Sequence, residues 1–196
     1  MTLFATPRRK FLVGTSAVLG LAALGLKPAL AQAKKIKASA PVLVTSIGQS
    51  LDAFQVQLAV KRAGIQFAYD AHAEPDALDD GIKTLFMAVG ASKKGFGDAG
   101  ITINDELKRT EHFIEAAEKK GITIVVLHMG GEERRDALSD QLIDLAAPHA
   151  KYLIIREDSD ADGKFAAIAK AKNIPMDIVD GPVALKPLLD ALFAGV

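Results

Sequence analysis

Short apolar runs alternate along this chain with longer amphipathic segments, and this alternation constrains the fold more than any other feature. The apolar runs cover residues 42–47, 65–69, 84–89, 122–128, 152–156 and 176–179. Most of them are apolar at nearly every position, which is typical of parallel strands covered by helices on both faces. The segments between them carry helix punctuation, such as Ser50 before the first helix and Gly121 after the longest one. The pattern therefore predicts an α/β fold.

The lengths of the connections predict the strand order. About a dozen residues join the second and third strands, so we expect these strands to be neighbours. About thirty residues, with a long irregular glycine-rich loop over residues 90–100, join the third and fourth, which suits a crossover past the middle of the sheet. We predict a doubly wound, Rossmann-like three-layer sandwich with a six-stranded parallel sheet in the order 3-2-1-4-5-6 and a ligand crevice between strands one and four. A flavodoxin-like order, 2-1-3-4-5, is the alternative.

Residues 1–31 have the features of an export signal. They hold four basic residues and no acidic ones, followed by a weakly apolar run and a small-x-small site that ends at Ala31. The paired Arg8 and Arg9 favour the twin-arginine route, with the general secretory route as the alternative. We expect cleavage after Ala31, a periplasmic location and no stable membrane span after cleavage.

The rest of the chain is predicted to have two parts. We expect residues 32–40 to form a flexible lead-in and residues 41–196 to form a single α/β domain. Without the signal the chain has four more acidic than basic residues, so it lacks the positive charge that nucleic-acid binding requires. The chain has no cysteine, which excludes disulfides, thiolate nucleophiles and cysteine-held iron–sulfur clusters.

The loop after the first strand is a candidate anion site. Gly48, Gln49 and Ser50 lead directly into a helix N-terminus, where backbone N–H groups favour bound anions. A tight turn and a helix N-cap explain the same residues. A dinucleotide fingerprint would need three glycines here, and only Gly48 is present.

The segment after the third strand contributes positive charge. Ser92, Lys93 and Lys94 stand among four glycines in residues 90–100 and are candidate ligand-binding residues. A mobile, positively charged flap above the crevice is one interpretation, and a solvated crossover loop is the other.

The run after the fourth strand is the most distinctive of the chain. Its candidate ligand-binding residues are His128, Gly130, Gly131, Arg134 and Arg135. Arginine in the first turn of a helix opposes the helix dipole, so the two arginines either grip a carboxylate or phosphate, or pair with neighbouring carboxylates.

Residues at this edge also suggest acid–base catalysis or metal binding. His128 is a candidate general base with Glu132 as its acid partner. Asp158, Asp160 and Asp162 match the start of a calcium loop, but Ala169 stands where a bidentate glutamate is required. Calcium or another divalent metal is therefore an alternative to an acidic helix-capping turn, and no cofactor is predicted.

Three motifs and the export signal give the chain a resemblance. With V-T-S-x-G-Q-S at residues 44–50, G-x-S-x-K-G at 90–95 and H-x-G-G-E-x-R-R at 128–135, it resembles an exported bacterial family built on a domain of unknown function. The resemblance covers the chain from residue 41 onward and implies no activity.

From the residues themselves we predict a periplasmic protein that binds a small anionic or zwitterionic ligand at the carboxyl edge of its sheet. A homodimer or an envelope transport partner would complete the site, because one domain supplies only one side of a two-lobed binding cleft. A periplasmic hydrolase or isomerase that uses His128 is one alternative, and a protein-interaction module is the other.

Overall fold

Six parallel strands form one sheet in this computed structural model, which describes residues 36–194. The predicted export signal lies outside the described residues. The strands are β1 (Val42–Ile47), β2 (Phe67–Tyr69), β3 (Thr84–Val89), β4 (Thr123–His128), β5 (Tyr152–Arg156) and β6 (Met176–Val179). The helices are α1 (Asp52–Arg62), α2 (Lys93–Ala99), α3 (Ile103–Lys120), α4 (Ala137–Ala146), α5 (Lys164–Lys172) and α6 (Leu185–Leu192).

Two layers of helices cover the sheet, one on each face. On one face α1 and α6 bury side chains such as Val56 and Leu189 against the strands. On the other face α3, α4 and α5 bury side chains such as Phe113, Ile143 and Phe165. The α/β three-layer fold with a six-stranded parallel sheet is thereby confirmed.

The observed strand order is β2-β1-β3-β4-β5-β6, close to the predicted one but with β3 in a different place. We expected β3 at the sheet edge beyond β2, whereas it lies between β1 and β4. The connection after β2 crosses β1 with only a short 3₁₀ turn, Pro75–Ala77, and buries Leu78 and Ile82 beneath the α3 layer. An extended chain of this length spans about 40 Å, so no full helix is needed for the crossover. The switch point consequently lies between β1 and β3, as in the flavodoxin-like alternative.

Residues 90–100 are not an irregular loop, so that prediction was wrong. They contain α2, which begins after Ser92 and ends at Gly100 in a left-handed conformation. The Ser92 hydroxyl accepts a hydrogen bond from the Gly95 N–H at 3.1 Å, which satisfies an otherwise unpaired helical donor. A side-chain cap and a terminal glycine therefore outweigh the low helix propensity of the glycines inside.

The helix after β4 begins later than expected. α4 is capped by Asp136, whose carboxylate accepts hydrogen bonds from the backbone of Leu138 and Ser139 at 3.1 and 2.8 Å. Arg134 belongs to a separate 3₁₀ turn, and Arg135 follows that turn, so neither lies in the first turn of α4. The expected conflict with the dipole of that helix therefore does not arise.

The described part of the predicted lead-in packs on the domain. Ala38 is buried, and its N–H donates to the Leu192 carbonyl at 3.0 Å. The Ser39 N–H donates to the Thr84 hydroxyl at 3.3 Å. Within residues 36–194, no helix has both the length and the apolar character to cross a membrane.

Candidate functional site

A cleft of about 700 Å³ lies at the carboxyl edge of the sheet, at the switch point between β1 and β3. Open α/β sheets bind ligands at such a point because the connections diverge there to opposite faces. Six residues predicted from the sequence line this cleft: Gln49, Ser50, Ser92, Lys93, Lys94 and Arg134. The predicted residues thus meet at one edge, although the order of the first three strands differs from expectation.

Close backbone packing builds the floor of this edge. Gly48 has a φ of 109°, and a Cβ there would lie 2.4 Å from the Gly90 carbonyl oxygen, so a side chain cannot be accommodated. A Cβ at Gly95 of α2 would lie 2.1 Å from the Gln49 carbonyl oxygen. Gln49 itself adopts a positive φ of 61° and forms a β-bridge with Ala91. The loop after β1 therefore packs closely against the loop after β3 and against helix α2.

A buried carboxylate inside the protein occupies part of the predicted anion site. Glu106 of α3 is fully buried, and its Oε1 accepts a hydrogen bond from the Gly48 N–H at 2.6 Å. The Gln49 side-chain amide donates to both Glu106 oxygens at 3.2 and 3.3 Å. Two of the donors that were expected to hold a ligand anion after β1, the Gly48 N–H and the Gln49 amide, are therefore already bound to Glu106.

Arg109 completes this buried cluster. Its Nε donates to Glu106 Oε2 at 2.9 Å, and its Nη2 donates to Oε1 at 2.7 Å. Arg109 also donates to the carbonyls of Ala73, at 2.6 Å, and Ser46. The pair joins α3, the β1 loop and the β2–β3 connection, and the sequence analysis did not identify it.

Asp52, at the start of α1, is a second buried carboxylate that the sequence analysis missed. Its Oδ2 accepts a hydrogen bond from the Met129 N–H at 3.2 Å. A Cβ at Gly90 or Gly130 would lie 3.2 Å from the same oxygen, so both glycines let the backbone approach this carboxylate. Burial raises the pKa of Asp52, while the charges of His128 and Arg134 oppose the rise.

His128 lies at the end of β4 but is fully buried. Its Nδ1 is 2.7 Å from the Val89 carbonyl oxygen, so Nδ1 carries a proton and Nε2 is the acceptor of the neutral ring. Nε2 is buried, and the backbone of Gly131 lies close to the ring. Burial lowers the pKa of His128, and Asp52 opposes this effect. Glu132 is exposed, and among the described residues no hydrogen bond joins it to His128.

The two adjacent arginines have different environments. Arg134 lines the cleft and packs over Gly130, where a Cβ would lie 2.1 Å from the arginine Cγ. Over residues 36–194, Arg134 forms no ion pair with a carboxylate. Arg135 instead pairs with Asp140 at 2.9 Å and with Asp162 at 2.7 Å.

The three aspartates of the calcium-like motif are engaged separately. Asp158 pairs with Arg156 at 2.9 Å. Asp160 accepts hydrogen bonds from the first turn of α5, from Phe165 N at 2.7 Å and Ala166 N at 3.1 Å, and Asp162 pairs with Arg135. In the part of the chain that is described, no group of three or more histidine, aspartate or glutamate side chains is placed to hold a metal.

Gly131 has a structural role beside this loop. Its φ is 72°, and a Cβ there would lie 2.7 Å from the Asp158 carboxylate. The glycine therefore lets the backbone after β4 pack against the loop after β5.

A second cavity of about 600 Å³ adjoins the cleft on the α3 side. Gln49 lines both cavities, and His72 and His112 line the rim of the second one together with Glu74. Neither histidine was predicted to have a role. The crossover of the β2–β3 connection brings His72 to this cavity, and the sequence did not reveal that crossover.

Comparison with known proteins gives one match. A family model described as "Domain of unknown function (DUF6305)" matches residues 39–193. Searches of the curated proteins and of the solved structures give no significant match. The matched region contains every residue that lines the cleft.

Proposed function

Since the chain belongs to the DUF6305 family, which is defined by a domain of unknown function, we propose its function from the cleft: it binds a small anionic or zwitterionic ligand at the carboxyl edge of its sheet. The ligand anion is held by Arg134 and Lys93, and the loops after β1 and β3 form the floor of the site. This proposal transfers the anion contact from the β1 loop, whose donors Glu106 occupies, to the side chains of the cleft.

Arg134 is the observation that carries the proposal. Arg109 and Arg135 are each bound to carboxylates of the protein, whereas Arg134 forms no ion pair within the described ranges, although its charge opposes the rise in the pKa of Asp52. A guanidinium group presents paired donors that match a carboxylate or phosphate, so an unpaired one beside a cleft favours an anionic ligand. Lys93 adds positive charge at the same cleft.

We also propose that the protein acts in the periplasm after export and removal of residues 1–31. The support for this step is the sequence of that segment, with its paired arginines, apolar run and small-residue cleavage site. Native mass spectrometry of protein purified gently from the cell envelope tests both steps. A mass calculated from residue 32, with an adduct that is released on denaturation, is the expected result. A bound partner of protein size would instead support an interaction module.

The binding step is tested by substitution of Arg134. We expect Arg134→Ala to weaken the binding of acetate and of inorganic phosphate at least about tenfold, because a charge-assisted hydrogen bond contributes about 1.5–3 kcal/mol. The matched control is Lys151→Ala, which removes an exposed charge just before β5, at the opposite edge of the sheet. Calorimetry of the three proteins gives the comparison. Unchanged affinity in Arg134→Ala would remove this arginine from the site.

A further inference from the structure

Two large apolar side chains are exposed at the cleft. Leu51 is 72% exposed and Phe54 is 48% exposed, and both line the same cavity as Arg134. In the described part of the chain, the other large apolar side chains with comparable exposure are Ile178 and Val183, neither of which lines this cleft. Two of these four exposed side chains therefore lie at the cleft that Arg134 and Lys93 also line.

Folding does not explain these two side chains. α1 buries Ala53, Val56 and Val60 against the sheet, whereas Leu51 and Phe54 remain in solvent. Leu51 immediately precedes α1, and the Ser50 hydroxyl accepts a hydrogen bond from the Asp52 N–H at the start of this helix, at 3.3 Å. The leucine side chain neither caps the helix nor enters the core, so a polar residue would serve the fold equally well at this position.

The strand order spreads the lining of the cleft over four strand ends. Tyr69 ends β2 and extends the apolar part, while Arg134 follows β4. β1 and β3 lie between these two strands, so the strand ends are roughly 14 Å apart at the usual spacing. An inorganic anion spans much less than this distance, whereas an organic molecule with an anionic end can contact both parts.

We infer that the ligand is an amphiphilic organic carboxylate. Its carboxylate binds Arg134 and Lys93, and its apolar body covers Leu51 and Phe54. The inference rests on the proposed function, because it assigns the ligand class of the same cleft. Burial of the two exposed side chains by the ligand supplies the hydrophobic contribution to affinity, and the cations supply orientation.

The test is a chain-length series measured by calorimetry with acetate, butyrate, hexanoate and octanoate. In the wild-type protein we expect affinity to rise about three- to fourfold for each added methylene until the apolar part is covered. Leu51→Ser and Phe54→Ser should flatten this rise. Val183→Ser is the matched control, because Val183 is 80% exposed and lies outside the cleft, and it should leave the whole series unchanged.

Arg134→Gln separates the inference from the proposed function. We expect this variant to weaken all four carboxylates by a similar factor of at least about ten. Equal affinities for acetate and octanoate, each dependent on Arg134, would overturn the inference that the ligand is amphiphilic. They would leave the proposed anion site intact. A rise with chain length that Arg134→Gln does not weaken would overturn both.

A second copy of the chain is the competing occupant of the apolar part. Light scattering that shows self-association, abolished by Leu51→Ser and Phe54→Ser, with no binding of any carboxylate, would overturn the inference. Both side chains are exposed, so the variants should keep the urea unfolding midpoint of the wild-type protein.

Discussion

Two arginines at the carboxyl edge of this sheet differ in their burial and in their ion pairing. Arg109 is almost fully buried and donates to the Glu106 carboxylate and to backbone carbonyls. Arg134 lines the neighbouring cleft without an ion pair in the described part of the protein. A buried charge must be satisfied by the protein itself, because an unpaired one costs several kcal/mol. A charge at an open cleft remains solvated until a ligand replaces the water.

The buried pair of Glu106 and Arg109 also influences the shape of the cleft, although neither side chain lines it. Glu106 holds the backbone of Gly48 and the side chain of Gln49, and Arg109 holds the Ala73 carbonyl of the β2–β3 connection. The position of the β1 loop therefore depends on α3. The buried cluster therefore fixes the loops, whereas the proposed contacts with a ligand fall to the side chains of Arg134 and Lys93 in the cleft.

The largest expected effect is the loss of the buried carboxylate. Glu106→Ala leaves the Arg109 charge and the Gly48 N–H without their acceptor, so the free energy of unfolding should fall by about 3–5 kcal/mol. Urea denaturation measures this change. Glu115→Ala, at an exposed position of the same helix, is the control and should change stability by less than about 0.5 kcal/mol. A loss below about 1 kcal/mol for Glu106→Ala would show that the cluster is not the structural centre of this edge.

The second prediction compares two glycines of α2. A methyl group at Gly95 would meet the Gln49 carbonyl, whereas a methyl group at Gly97 would meet no atom within 4 Å. Gly95→Ala should therefore lower the free energy of unfolding by about 1–3 kcal/mol, since α2 must move away from the β1 loop. Gly97→Ala should raise it by about 0.5–1 kcal/mol, because alanine favours the helix. Equal effects of the two substitutions in urea denaturation would contradict the close packing between α2 and the β1 loop.

Much of the fold is readable from the sequence, for local reasons. Buried parallel strands are nearly continuous apolar runs, and the bounds of β1 and β3 match residues 42–47 and 84–89. The place of β3 in the sheet is not local, because a connection of this length is compatible with neighbouring strands and with a crossover past one strand. Helix α2 was missed since its two internal glycines outweigh its cap in a reading by propensity.

The candidate site is readable only in part. The loop residues that line the cleft follow from the rule that ligands bind at strand carboxyl ends. Glu106 and Arg109 lie three residues apart on the amphipathic helix α3, a spacing that is equally typical of a solvated ion pair. Only their packing beneath the β1 loop distinguishes them. Arg134 and Arg135 are likewise adjacent in the sequence. Only the three-dimensional structure shows that Arg135 pairs with carboxylates and that Arg134 lines the cleft.

The smallest expected effect sharpens the contrast between these adjacent arginines. Arg135→Gln should lower the free energy of unfolding by about 1 kcal/mol, because its partners Asp140 and Asp162 are partly exposed and solvent screens the pairs. Arg134→Gln should lower it by less, since no ion pair is lost and only the longer-range effect of its charge on Asp52 is removed. Urea denaturation of both variants at neutral pH gives the comparison.

The pH dependence of that small effect identifies its source. The Arg135 guanidinium, together with a smaller effect of the Lys164 N–H, lowers the pKa of Asp162 from 3.8 to about 2. A carboxyl group with a lowered pKa in the folded state stabilises the protein above its unfolded pKa and loses this stabilisation as the pH falls through the folded value. The difference between the wild-type protein and Arg135→Gln should therefore be constant above about pH 5 and shrink between about pH 4 and pH 2. NMR titration of the Asp162 carboxyl carbon checks the same point, because its pKa should return toward 3.8 in Arg135→Gln and stay near 2 in Arg134→Gln. A stability difference that does not vary over this range would assign the loss to packing against Phe165, over which the Arg135 guanidinium lies at 5.5 Å, rather than to the ion pair.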